Sequence, residues 1–437
     1  MSATIHAAYE RFAANLDKSQ WAPRAAIEAH QRGLLGRLVS FAFANSAFYG
    51  ERLKPLFRRG GTPDLDAWQD VPILTRREVV DEIARINPKS LPADIGPVSG
   101  RRSSGTTEAQ ITFRTSYIAQ MTEGSMMHRL YGWRGFDLAA TMASIRWYGA
   151  DGPRLPDGLT ETQWAFPGPQ ASHHTLNIGP PTGEVIEWLS RKRPRYLVTL
   201  PSLAQEIALH PDAVRLRQAG IAAVVGVSEL ATESARSAVR QGLGCELLAV
   251  YGAGEVGAIA LQSPVDTSYL VCEETALVEI LDERGLPVAP GETGRVIVTG
   301  LYNYATPFIR YELGDYATRA ASPCPSGRTL ARLERIEGRR HNALVGAGGR
   351  RIWPHEVLGG DPIRQLAAVR LRIVQPDPAT VELTFLPLPG AAPADRDALA
   401  AYFAALLGQP VELRLAAVEE LPRTGGGKHE SVISRIR

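Results

Sequence analysis

The chain has 437 residues, of which 44% are hydrophobic and 22% charged, with 48 Lys and Arg against 46 Asp and Glu for a formal net charge of +2. That length exceeds what one compact core usually serves, so at least two domains are expected, and the composition is neither that of a disordered chain nor that of a membrane-embedded one. Balanced charge gives no reason to expect a nucleic-acid partner; the three cysteines, Cys245, Cys272 and Cys324, are too scattered for a disulfide framework or a zinc site; and with no basic leader and no long apolar run the chain reads as cytoplasmic, without a membrane partner.

From Ala7 to about Phe57, apolar residues recur at helical spacing, with a break after Asn45–Tyr49. Trp68–Thr75 reads as extended, and Thr75 is placed to cap a helix over Arg76–Ile86 that Asn87-Pro88 stops. The run Arg101–Gln110 follows, containing Ser103, Ser104, Gly105, Thr106 and Thr107. Hydroxyl pairs flanking a glycine let a backbone bend close to an anion while Ser and Thr donate beside it, so the segment is a candidate phosphate cradle, although it lacks the Walker pattern. Residues 116–134 favour a helix and Ala139–Tyr148 a strand. Prolines and glycines then imply long loops around the paired His173 and His174, which are candidates for contact with a substrate carboxylate or for ligation of a metal.

Tyr196–Leu200, Ala222–Val227 and Leu247–Tyr251 are short apolar runs alternating with helices at Leu203–His210 and Thr232–Gln241. This is the βαβ pattern of a parallel sheet whose strand ends carry ligand loops. After Glu255 the alternation gives way to antiparallel strands at Ala276–Leu281 and 294–299. Gly338–Gly349 is glycine-dense and short of apolar anchors, and marks a boundary. Beyond it, strands near Ala368–Val374, Val381–Leu386 and Val411–Leu415 and a helix at 395–407 suit a small α+β lid. The expected fold class is therefore α/β, with a large domain over 1–338, parallel-rich with a β-rich part, and a small mobile domain over 339–437.

At Tyr251-Gly252-Ala253-Gly254-Glu255, Tyr311-Glu312-Leu313-Gly314-Asp315, Arg335-Ile336-Glu337-Gly338-Arg339 and Pro422-Arg423-Thr424-Gly425-Gly426-Gly427-Lys428, the sequence resembles the adenylate-forming acyl-CoA synthetase superfamily. Phe48-Tyr49 and Val71–Thr75 liken it further to the phenylacetate-CoA ligase and capsular-polysaccharide-type branch. The resemblance implies activation of a carboxylic acid with ATP and Mg2+ to an acyl-AMP, with release of pyrophosphate. It implies that the 1–338 domain binds ATP and the acyl group while 339–437 moves as a lid, and that the protein forms a dimer, as is common in this branch.

Residue by residue, the resemblance places Tyr251 and Gly252 near adenine, Glu255 on magnesium, Asp315 on the ribose hydroxyls and Arg335 at ribose and phosphate. It places Gly226, Ser228 and Glu229 at the adenine edge, and Lys428 on the carboxylate and α-phosphate, where charge develops in the transition state. Trp147 and Tyr148 take the place of acyl-pocket aromatics, which suits an aryl acid. Two departures matter: Glu108 and Ala109 stand where the family has Gly-Lys in the phosphate loop, and His341 stands where its hinge has Asp. The first bears on the grip on the β- and γ-phosphates; the second bears on the acceptor, for which the resemblance implies coenzyme A, with an amine or a carrier-protein thiol as the alternative and a nucleotide-binding regulatory homologue as a further one.

Overall fold

The computed structural model describes residues 3–58, 60–103, 110–165, 168–424 and 426–436. Ser104, Gly105, Thr106 and Thr107, with Glu108, Ala109 and Gly425, lie outside the described residues. By contact density the chain forms two units, one of Met1–Asp137, Ala165–Pro167 and Val250–Ile336, the other of Leu138–Trp164, Gly168–Ala249 and Glu337–Arg437.

The first unit begins with helices Ala3–Ser19 and Arg24–Asn45. The helix Arg76–Ile86 starts where expected, since Thr75 accepts from Glu78 N and Glu78 returns a bond to the Thr75 backbone, a reciprocal capping box. The extended reading of Trp68–Thr75 holds only from Val71 on. Leu65–Asp70 is a 3-10 helix, because the Asp64 side chain accepts from Asp66 N and winds the chain into a turn. The strands Gly257–Gln262, Tyr269–Val271, Ala276–Leu281, Thr293–Gly300, Tyr311–Arg319 and Arg332–Arg339 pair largely antiparallel, and Leu34, Leu38, Val39, Tyr49, Leu74, Phe113, Val298 and Phe308 are among the residues of its core.

In the second unit, Met142–Arg146 pairs in parallel with His173–Asn177 on one side and with Tyr196–Thr199 on the other, and Ala223–Gly226 and the first half of Glu246–Ala253 follow. The chain thus leaves Met142–Arg146 for one neighbour and later returns to the other. That reversal opens a crevice at the carboxyl ends of these strands, where open α/β sheets take ligands. His173 and His174 are on a strand rather than on a long loop, because Thr175 and Leu176 behind them are buried in the sheet and carry the pairing through. The segment Glu337–Arg437 brings its own core, with Leu344, Ile373, Leu383 and Phe403 fully buried among it, and its own sheet ordered Glu412–Ala417, Thr380–Pro387, Ala368–Asp377, Val432–Ser434. Each such buried side chain contributes about 1.5–3 kcal/mol.

Candidate active site

The candidate residues divide between the two units. In the first, Asp315 owes its position to the backbone around it. Across the strand pair, Arg295 faces Tyr316 and Ile297 faces Glu312, so Leu313, Gly314 and Asp315 together oppose a single residue. Such a bulge re-aims a side chain, and it requires Gly314 at φ +79°, a conformation L side chains rarely adopt. Asp315 Oδ2 accepts from the Tyr251 hydroxyl at 3.0 Å. Gly252, next to Tyr251, lies where an added Cβ would come within 2.7 Å of Gly257 O, so the close return of the chain there admits only glycine.

Glu255 is 7% exposed, and its Oε1 lies 3.4 Å from Arg76 Nη1 and 3.5 Å from the Tyr311 hydroxyl. Arg76 also donates to Ser103 Oγ at 3.0 Å, and that hydroxyl accepts from Ile111 N at 3.0 Å, which anchors the start of the serine-rich loop. Arg76 was not among the sequence candidates, though a signal existed: a basic side chain opening a helix opposes the helix dipole and is favoured only if a carboxylate compensates it. Arg335 stands half-exposed on the Arg332–Arg339 strand, with Glu334 Oε1 3.9 Å from its Nη1.

The residues fit a magnesium ion. The ion usually takes one or two carboxylates, completing its shell with water and substrate phosphate oxygens, and Glu255 is a buried carboxylate whose contacts with Arg76 and Tyr311 are long, at 3.4 and 3.5 Å. Among the described residues no cluster of three or more His, Cys, Asp or Glu gathers as a self-sufficient metal cage.

In the second unit the carboxyl-end crevice collects several candidates. Gly226 ends its strand where an added Cβ would meet Pro201 Cγ at 2.9 Å, so glycine lets the Pro201–Leu209 helix pack close. Ser228 has φ +69°, an uncommon conformation for a residue with a Cβ and one that recurs at functional turns. The lysine loop docks on the same ends. Gly427, at φ +76°, lies where a Cβ would come within 2.5 Å of Ile178 Cγ2, and Ile178 directly follows the His173–Asn177 strand. The loop closes on itself through Lys428 N to Thr424 Oγ1 at 3.1 Å and Thr424 N to Lys428 O at 2.9 Å.

Ionic contacts hold the loop at both ends. Arg423 donates to Ser202 Oγ at 2.8 Å and Gly427 O at 2.9 Å and pairs with buried Glu206, which Arg370 also approaches at 3.1 Å. Glu229 accepts from His429 N at 2.6 Å and from Ser202 N at 3.1 Å. Burial pushes the Glu229 carboxyl up from its ordinary range, while these N–H donors act against the rise. His429 donates through Nε2 to Leu371 O at 2.8 Å, and burial pushes its imidazole down to about 4, so the ring is neutral at physiological pH. Glu206 and Arg370 were not singled out in the sequence, and Arg423 entered only as part of the lysine motif, because nothing local marks residues that meet across more than 150 positions.

Tyr148 follows the Met142–Arg146 strand with its hydroxyl buried and without a hydrogen-bond partner among the described residues, and Arg146 stacks on its ring at 5.1 Å. Trp147 beside it is 46% exposed. His173 and His174 sit at the amino ends of the strands, opposite the crevice, since His173 faces Met142 while Asn177 faces Arg146. Their rings are engaged there, His173 Nε2 with Ser144 Oγ at 2.8 Å and His174 Nδ1 with Thr160 Oγ1 at 2.9 Å, and burial lowers both imidazoles. The structure does not bring them to Trp147 and Tyr148.

No protein-family profile matches the chain. It is 24% identical over 361 residues to phenylacetate-coenzyme A ligase of Thermus thermophilus, covering 77% of this chain and 75% of that one. It is also 31% identical over 130 residues, 29% of each chain, to phenylacetate-coenzyme A ligase of Escherichia coli. Its structure superposes on 2-hydroxyisobutyryl-CoA ligase in the postadenylation state, in complex with R3-HIB-AMP, with a TM-score of 0.75 at 18% identity, covering 95% of this chain and 91% of that one. Against anthranilate CoA ligase in complex with anthranoyl-AMP the TM-score is 0.56 at 17% identity, over 78% and 68%. The chain is a homologue of phenylacetate-coenzyme A ligase and has the fold of the adenylate-forming CoA ligases.

Proposed function

We propose that the protein is an AMP-forming acid–thiol ligase that condenses a small carboxylic acid with ATP to an acyl-AMP and passes the acyl group to coenzyme A. The observation that carries this reading is the kinship with a phenylacetate-coenzyme A ligase over three quarters of both chains. A substrate carboxylate oxygen attacks the α-phosphorus, the bond to the bridging oxygen breaks, and pyrophosphate leaves. The thiolate then attacks the acyl carbon and AMP departs with the electron pair. Asp315 holds the ribose hydroxyls by accepting from them, and the Lys428 ammonium offsets the charge developing on the α-phosphate. Magnesium, when bound at Glu255, offsets triphosphate charge.

The segment 339–437 serves as the mobile lid, a reading supported by its separate core and sheet. Tyr148 suits a flat acid, with its buried hydroxyl able to meet a polar atom of that acid. Acid-dependent pyrophosphate release across a panel of carboxylic acids tests the activity: release that needs both an acid and ATP supports it, and ATP binding without release from any acid replaces it with the regulatory reading.

A second reading, transfer to an amine or a carrier-protein thiol, draws on the altered hinge. His341 Nε2 lies 3.0 Å from Glu430 Oε1, tying the hinge to the segment two residues beyond the lysine. If that contact retards the lid, thioester formation from preformed acyl-AMP is slow in the wild type and faster in His341→Asp. Fast transfer to coenzyme A by the wild type, unimproved in the variant, removes this reading.

A further inference from the structure

We propose that Glu229 is the positioning residue of the lysine loop, its carboxylate joining the amide of His429 to the first turn of the Pro201–Leu209 helix and so setting where Lys428 stands during acyl-AMP formation. This deepens the ligase reading and rests on it.

Both carboxylate oxygens of Glu229 are directed at backbone amides, Oε1 at His429 N and Oε2 at Ser202 N. The resemblance alone placed this residue at the adenine edge, whereas here the side chain turns to the protein. His429 is the residue after the lysine, so a bond to its amide fixes the Lys428 carbonyl and limits the directions its side chain can take. Ser202 is near the start of a nine-residue helix, whose unpaired N–H groups and dipole favour an anion.

Arg423 grips the other end of the loop from the same helix through Ser202 Oγ and Glu206. The lysine is therefore clamped between a charge-assisted hydrogen bond and an ion pair only a few residues apart, the first reaching the helix through Glu229 and the second made to it directly. Neither clamp is covalent or apolar, so both can be released and remade. A glutamate does here what a glutamine cannot, since an amide side chain offers one acceptor oxygen and would set its own N–H groups against an amide donor.

Glu229→Gln tests the assignment in the full-length protein. Single-turnover acyl-AMP formation is expected to fall about tenfold to a hundredfold, the range for losing one hydrogen bond to a charged group. Thioester formation from preformed acyl-AMP and ATP affinity stay near wild type, and amide exchange in the segment 424–430 accelerates. Glu229→Asp, which keeps the charge but shortens the reach, falls between the two proteins.

Equal loss in both half-reactions with a lowered melting temperature overturns the proposal in favour of a general structural role. Loss of ATP affinity restores the adenine-edge role, and unchanged exchange and adenylation remove the residue from the loop's support. Should the wild type make no acyl-AMP from any acid, the ligase reading fails while the exchange measurement still decides whether Glu229 holds the loop.

Discussion

Asp315 and Lys428 each directly follow a glycine of positive φ, Gly314 at +79° and Gly427 at +76°, yet the two are held by different physics. Asp315 stands on a bulge inside a strand, and the pairing that creates the bulge comes from the adjacent strand Thr293–Gly300. Its position is a property of backbone hydrogen bonds that persist as long as the sheet does. Lys428 stands on a short turn whose supports come from residues about 200 positions away, through Glu229, Glu206 and Ser202. A group that binds a substrate throughout the reaction gains from the first kind of support. On the lid reading proposed above, Lys428 arrives for one step and leaves for the next; single hydrogen bonds such as that from His429 N can be exchanged for water at small net cost, while the buried Arg423–Glu206 pair is the costlier one to release.

The contrast breaks most visibly at the lysine. Lys428→Ala should leave the fold intact and slow adenylation by the equivalent of about 2–4 kcal/mol, the usual worth of one preorganised electrostatic contact to a transition state. Acid-dependent pyrophosphate release equal to wild type would remove it from the chemistry. Asp315→Ala should act on binding instead, weakening ATP by about 1.5–3 kcal/mol for lost charge-assisted hydrogen bonds. Titration calorimetry with unchanged affinity would contradict the ribose role.

The support of the lysine loop should also be sensitive to acid, unlike the bulge. His429 is held neutral in the folded protein, with its imidazole near 4 against 6.5 when unfolded. The unfolded chain therefore binds the extra proton between those values, and stability falls as pH drops from about 6.5 toward 4, by about 3 kcal/mol in all. Melting curves of wild type and His429→Gln over that window should converge as the pH is lowered, and parallel curves would show that this ring is not responsible. The smallest effect sharpens the other side: Tyr251→Phe removes the hydroxyl bonded to Asp315 and should cost about 1 kcal/mol of ATP affinity without changing the melting temperature appreciably, because the bulge and not the hydroxyl places the carboxylate.

What the sequence determined by itself is what local chemistry dictates. Thr75 announces a capped helix, and the apolar runs at 196–200, 222–227 and 247–251 announce parallel strands, each from a few adjacent residues. Proline and glycine around His173 and His174 suggested a loop by the same local logic, and it failed there because pairing with the Met142–Arg146 strand overrode composition. Only the tertiary structure decided that those histidines lie at the amino ends of the strands, away from the crevice, that Arg76 joins Glu255 to Ser103, and that Glu229 turns toward the amide of His429. The physical reason is one of range: caps, bulges and strand periodicity are written in neighbouring residues, whereas a buried carboxylate chooses its partners from whatever the chain entropy of folding has brought beside it, and no spacing along the sequence records that choice.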